Sequence, residues 1–130
     1  MEILDTRDLQ KRLDELKAEH ETLKDAVEEA DQDDLQAAKD ELKEFEESEE
    51  FTEMKELQGL SEEISEWKYG ESLIPEDDFE EYCQELLSDI GDLPKDIPWY
   101  IEIDWEKTAQ NIKMDYSEVE YLGTTYLYRS

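Results

Sequence analysis

The sequence predicts an α+β protein that is mostly α. An acidic helical arm, a hairpin or coiled coil, covers residues 1–70, and a small α+β unit ending in a β-hairpin covers residues 71–130. Three observations carry this. Between Leu9 and Ala30 the apolar residues recur in alternating steps of four and three, the spacing of a heptad seam. Composition changes at Gly70: all three prolines and nine of the thirteen aromatic residues lie beyond it. Residues 116–129 are rich in β-branched and aromatic types on either side of Leu122-Gly123, a pattern of two strands and a tight turn.

Asp5 or Thr6 is placed to cap the first helix, expected over residues 6–30. Leu9, Leu16 and Leu23 take the d positions and Leu13, His20 and Val27 the a positions. Leu35, Ala38, Leu42 and Phe45 repeat the rhythm one residue out of phase. The slip falls at Ala-Asp-Gln-Asp-Asp (30–34), where Asp33 is suited to cap a second helix. Two arrangements fit: an antiparallel helical hairpin, or one long helix that absorbs a skip. A second phase break near Ser48 precedes Phe51, Met54, Leu57, Leu60, Ile64 and Trp67. These predict a third helix, or a bent continuation, that ends before Tyr69 with Gly70 as its cap.

Beyond Gly70, Pro75-Glu-Asp-Asp is expected to open a helix, with proline in the first turn and acids at the positive end of the dipole. Phe79, Tyr82, Cys83, Leu86, Leu87 and Ile90 would form its buried face, and Gly91 would end it. Leu93 to Tyr100 reads as a Pro-punctuated loop and Ile101 to Asp104 as a short extended piece. Asp104 then caps a helix over Trp105–Lys113. Sixty residues alone make a marginal core. Packing on the arm through Trp67 and Tyr69 is therefore expected, or else the seam pairs two chains in a homodimer.

Charge dominates the composition. Forty-one acids face thirteen Lys and Arg, for a formal net charge of -28. Residues 1–70 hold 25 acids and 9 bases (net -16), residues 71–130 hold 16 and 4 (net -12). Such a field repels nucleic acid and anionic membranes and attracts basic surfaces. No apolar run approaches the ~20 residues that span a bilayer, and the start lacks the basic and apolar regions of a secretory signal. One cysteine excludes an internal disulfide and suits a reducing compartment. The protein is expected to be soluble and to reside in a reducing cytoplasm.

The residues offer little for catalysis. Nucleophilic chemistry needs a nucleophile beside a base. The single histidine, His20, lies on the seam, and the single cysteine, Cys83, lies on the apolar face of another helix. His20 reads as a polar seam residue that sets register, Cys83 as a small buried hydrophobe. Zinc lacks its usual ligands. Asp31 begins a calcium-like loop, but glycine is missing at its sixth position and Leu42 stands where a bidentate Glu is needed. No Glu-x-x-His pair or Gly-rich phosphate loop is present. The chain is expected not to be an enzyme and to use no cofactor.

The carboxylates themselves are the candidate site. Half of the positions in residues 39–56 are acidic, threaded by Leu42, Phe45, Phe51 and Met54, which a disordered tail would lack. On a helix, Glu46, Glu49, Glu50 and Glu53 make one row and Glu41, Glu44 and Glu47 another, with neighbours ~5–6 Å apart. DNA spaces its phosphates at ~3.4 Å of axial rise per strand, so such rows approximate a phosphate track. The expected partner-binding surface is Asp40, Glu41, Glu44, Glu46, Glu47, Glu49, Glu50 and Glu53, with Asp77, Asp78, Glu80, Glu81 and Asp104. Its partner is a DNA- or RNA-binding host protein with a basic groove. Two other readings are an adaptor that works through the seam of Leu9, Leu13, Leu16, His20, Leu23 and Val27, and an acidic chaperone for a basic protein.

Ile103-Asp-Trp-Glu-Lys-Thr-Ala-Gln-Asn-Ile112 and the closing Tyr126-Leu-Tyr-Arg129 resemble the end of ArdA-type antirestriction proteins. Those commonly finish with an aspartate-aromatic-glutamate helix start, an alanine, a short amphipathic stretch and an aromatic strand ending in Arg. The acidic helix from Phe79 to Ile90 and the Pro-rich loop before Trp99 suit the same pattern. Where that family has Ala-Arg-Asp-Leu, this chain has Ala109-Gln110-Asn111-Ile112, and its first 70 residues do not share the likeness. The resemblance implies a phage or mobile-element protein that mimics DNA and occupies the groove of a host defence enzyme, typically a type I restriction-modification complex. The unmatched arm leaves room for another target, such as a CRISPR effector.

Overall fold

The computed structural model describes residues 2–92 and 96–129. Helices predominate, and the chain divides into two units. One, Asp5–Gly70, is helical; the other, Met1–Leu4 with Glu71–Ser130, is α+β.

The helical unit starts with α1 (Thr6–Glu29). Asp5 caps it, its carboxylate accepting the Arg7 amide at 2.8 Å and the guanidinium at 2.7 Å. That side-chain hydrogen bond from Arg7 draws the Asp5 pKa down from 3.8 to about 2. The chain leaves helical geometry at Ala30 (φ -69, ψ 140). Asp31, not Asp33, organises the turn. Its Oδ1 accepts the amides of Asp33 and Asp34 at 3.1 and 3.0 Å, because it sits two and three residues ahead of the orphan donors, as an Asx turn requires. Next, α2 (Leu35–Glu46) turns back along α1, with Phe45 stacked on His20.

A third helix, α3 (Glu49–Glu63), begins where Ser48 caps it by accepting the Phe51 amide. It ends short of the sequence expectation. Ile64 turns to extended geometry (φ -87, ψ 108), and Trp67–Tyr69 forms a 3-10 turn. The early exit lets both Ile64 and Trp67 turn inward and become buried. Thr6 Oγ1 then donates to the Trp67 carbonyl at 2.9 Å, and Trp67 Nε1 donates to Gln10 Oε1 at 2.6 Å. Tyr69, which the sequence offered with Trp67 as a packing residue, is exposed. Gly70 closes the unit at φ 90.

In the α+β unit, Ser72–Pro75 is a strand, β2; the short β1 is Leu4–Asp5. The proline does not open a helix. With φ -56 and ψ 134 it is extended, and it pairs with Tyr126 at the end of the strand, where a missing N–H is tolerated. Glu76–Asp78 forms a 3-10 turn, and α4 runs from Phe79 to Asp89. Ile90, beyond its last turn, is exposed rather than buried. The part of the expected Pro-rich loop at 93–95 lies outside the described residues. Residues 101–104 form no strand. Asp104 caps α5 (Trp105–Lys113), accepting the Lys107 amide.

Strands β3 (Tyr116–Tyr121) and β4 (Thr124–Arg129) close the chain as an antiparallel pair. The sheet order is β1-β2-β4-β3. Ile74, Phe79, Cys83, Ala109 and Leu127 form a core cluster, with Tyr82, Ile112 and Tyr116 packed against it. The two-residue turn has positive φ at both Leu122 (48) and Gly123 (81), the signature of a type I′ turn.

Two stability predictions arise from these local geometries. Leu122 is exposed yet holds a left-handed conformation that costs a side chain of its type roughly 1 kcal/mol. Leu122→Asn creates the favoured Asn-Gly turn and is expected to gain up to about that amount in urea unfolding. Asp5 has its folded pKa lowered, so its ionised cap stabilises above pH 3.8, and that stability is lost as pH falls through about 2. The difference in Tm between wild type and Asp5→Asn should therefore shrink between about pH 5 and pH 2. A constant difference would refute this role.

Candidate functional site: the acidic surfaces

The stretch 39–56 is not one helix. Glu46 ends α2, Glu47 is its C-terminal cap, and α3 starts at Glu49. The expected row of Glu46, Glu49, Glu50 and Glu53 is therefore divided between two helices. Electrostatics favours the division. A continuous helix would stack those four carboxylates at i,i+3 and i,i+4 spacing, destabilising by a few tenths of a kcal/mol per pair. Breaking at Ser48 moves Glu49 and Glu50 into the first turn of α3, where the dipole favours acids by ~0.3–1 kcal/mol each. The other row fares better. Glu41 and Glu44 share a face of α2, and Glu47 keeps the αR geometry that extends it.

Asp40, Glu41, Glu44, Glu46, Glu47, Glu49 and Glu50 are all exposed. Glu53 is different. Arg12 on α1 grips it with two hydrogen bonds of 3.2 Å, Nε to Oε1 and Nη2 to Oε2, and its side chain is only 18% exposed. The charge-assisted fork raises the Arg12 pKa further, chiefly through the hydrogen bond to Glu53. Glu53 thus fastens α3 to α1 rather than facing outward. No local pattern points to Arg12, since the pair is 41 residues apart.

The seam positions divide likewise. Leu9, Leu13 and Leu16 are buried within the chain, while His20, Leu23 and Val27 are half-buried. The His20 ring stacks on Phe45 (5.6 Å between centroids) and meets the edge of Phe51 (5.2 Å). Its Nε2 is buried without a hydrogen-bond partner, 3.5 Å from Glu46 Oε2.

On the α+β unit, Asp77 is exposed and Asp78 half-buried in the turn before α4. Glu80 and Glu81 are exposed in the first turn of that helix. Asp104 is committed to capping α5. Lys113 Nζ lies 3.1 Å from Glu118 and 3.6 Å from Glu76. Cys83 is fully buried, and burial pushes its thiol pKa up, the reverse of what a nucleophile needs. Among the described residues no group of three or more His, Cys, Asp or Glu is placed to hold a metal ion, and no helix is long and apolar enough to cross a membrane.

Sequence reading also missed Trp99 and Tyr100 as surface features. Both are exposed, and the only hint was their position behind Pro98 in a loop.

The Arg12–Glu53 fork yields a test. Arg12 is 41% exposed, so solvent screening holds its contribution to about 1 kcal/mol. Arg12→Met should lose that much in urea unfolding, and in a double-mutant cycle with Glu53→Gln the two losses should be less than additive. No family model, curated protein or solved structure matches the chain.

Proposed function

We propose that this protein is a DNA mimic: an acidic inhibitor that occupies the basic DNA- or RNA-binding groove of a host defence enzyme. The observation that carries this reading is the set of carboxylates between Asp40 and Glu50. They are exposed, they sit on or at the ends of helices, and among the described residues no Lys or Arg forms an ion pair with Asp40, Glu41, Glu44, Glu47 or Glu49, while Glu50 feels Arg12 only at longer range. A protein groove that neutralises phosphates with Lys and Arg supplies the missing cations. Recognition would read charge spacing and not base sequence, because phosphate contacts carry no sequence information.

The C-terminal likeness to ArdA-type antirestriction proteins supports the same class of target, a restriction-modification complex, with a CRISPR-type effector as the other defence enzyme of matching chemistry. Inhibition is by stoichiometric occlusion, without catalysis or a cofactor. An adaptor working through the α1 seam has less support, since Leu9, Leu13 and Leu16 are already buried within the chain. The host-cell cytoplasm is where such a target is met.

The test is retention of bacterial lysate proteins on the immobilised chain, eluted by salt or by duplex DNA. A DNA-modifying or defence complex should be retained, be displaced by excess duplex, and elute well before about 0.5 M salt, where screening confines charge to a few ångströms. Glu47→Lys with Glu50→Lys changes the net charge from -28 to -24, each reversal adding two. That variant should weaken capture severalfold while circular dichroism shows the helices intact, any loss of Tm being confined to the small dipole contribution of Glu50. A complex indifferent to both duplex and salt rules mimicry out, and capture of free histone-like or ribosomal proteins alone points to an acidic chaperone.

A further inference from the structure

Among the described residues, the most exposed large apolar side chain of the α+β unit is not on an acidic helix but on a turn. The Ile101 amide donates to the Pro98 carbonyl at 3.0 Å, closing a four-residue turn with Trp99 and Tyr100 at its two central positions. Proline fixes φ at the start of the turn, and the hydrogen bond closes its end. Trp99 is 92% exposed and Tyr100 69%. Their rings meet edge to face at 5.7 Å and 84°, so each braces the other while the indole stays almost wholly exposed. Asp96 and Glu102 flank the turn in sequence and are also exposed.

A Trp-Tyr pair this exposed buries little surface within its own chain. Its chemistry suits an interface anchor, since Trp and Tyr bring large area at small entropy cost and lead binding hot spots. The surrounding charge selects the occupant. A nucleic acid could stack on the indole, but the net charge of -28 repels its phosphates, and it repels an anionic bilayer equally. A cationic protein surface is attracted. Arginine fits better than lysine, because a planar guanidinium stacks on an aromatic face while its edge still pairs with a carboxylate.

We propose that the Trp99–Tyr100 turn is a second docking element that takes arginine side chains of a protein partner against the indole face, with the flanking carboxylates pairing their guanidinium edges. It rests on the mimic reading only in sharing the same cationic partner. The acidic helices supply long-range attraction, and the turn supplies short-range selectivity for arginine.

The test uses hexa-arginine and hexa-lysine amides as probes, titrated into the full chain and its Trp99→Ala variant by calorimetry at moderate salt. Wild type should bind hexa-arginine about two- to fivefold more tightly than hexa-lysine, the range of one exposed cation–π contact. In Trp99→Ala the ratio should fall to about one, with unchanged circular dichroism because the side chain is almost wholly exposed. Glu47→Lys with Glu50→Lys should weaken both probes and leave the ratio intact. An unchanged ratio in Trp99→Ala, or no preference in wild type, overturns the proposal. Arginine preference together with a lysate partner that DNA cannot displace would keep the anchor and remove the mimicry.

Discussion

Burial of the α1 leucine stripe is the contact the helical unit depends on, because the unit's surface is dominated by like charge. Leu9, Leu13 and Leu16 are inside, as are Phe45 of α2 and Met54, Leu57 and Leu60 of α3. Each such side chain contributes ~1.5–3 kcal/mol when fully buried. A like-charge pair on a helix surface costs only a few tenths, and solvent and salt screen it further. Apolar burial therefore wins at each contact, although the acids are far more numerous. That inequality lets a chain carry a net charge of -28 on helices instead of unfolding into an acidic tail.

A few of the thirteen cations are placed where they join or brace elements. Arg12 ties α1 to α3 through Glu53. Lys113 of α5 stands between Glu118 of β3 and Glu76 of the turn before α4. Arg7 braces the Asp5 cap. Cations spent on such joints are not available to neutralise the outer faces of α2 and α3. The negative field of those faces is thus a consequence of how the fold is held, and it is the property on which the proposed mimicry rests.

The interruption at Ser48 links local and long-range effects. It takes Glu49 and Glu50 from mid-helix to a helix N-terminus, which the backbone dipole favours. It also lets α3 change direction after α2, so that α2 and α3 both contact α1. The carboxylates consequently lie on two short helices, and the spacing they present is set by how α2 and α3 pack rather than by one helical repeat.

Much of this was legible in the chain. The three-four rhythm from Leu9 to Leu23, the Asp104 cap before Trp105, and the Leu122-Gly123 turn between aromatic strands depend on contacts within a few residues, so local pattern determined them. Other features needed the tertiary structure. Pro75 reads locally as a helix start, yet it ends a strand because Tyr126, 51 positions later, supplies its partner. Glu53 reads as one more surface acid until Arg12 is found beside it. Trp67 reads as the end of a helix, but its hydrogen bonds with Thr6 and Gln10 accompany an earlier break at Ile64. Sequence alone determined composition, charge and the local elements, because these follow from neighbouring side chains. Which acids are spent on structure and which face outward was decided only by folding, because a carboxylate's role depends on the cation that long-range packing brings to it.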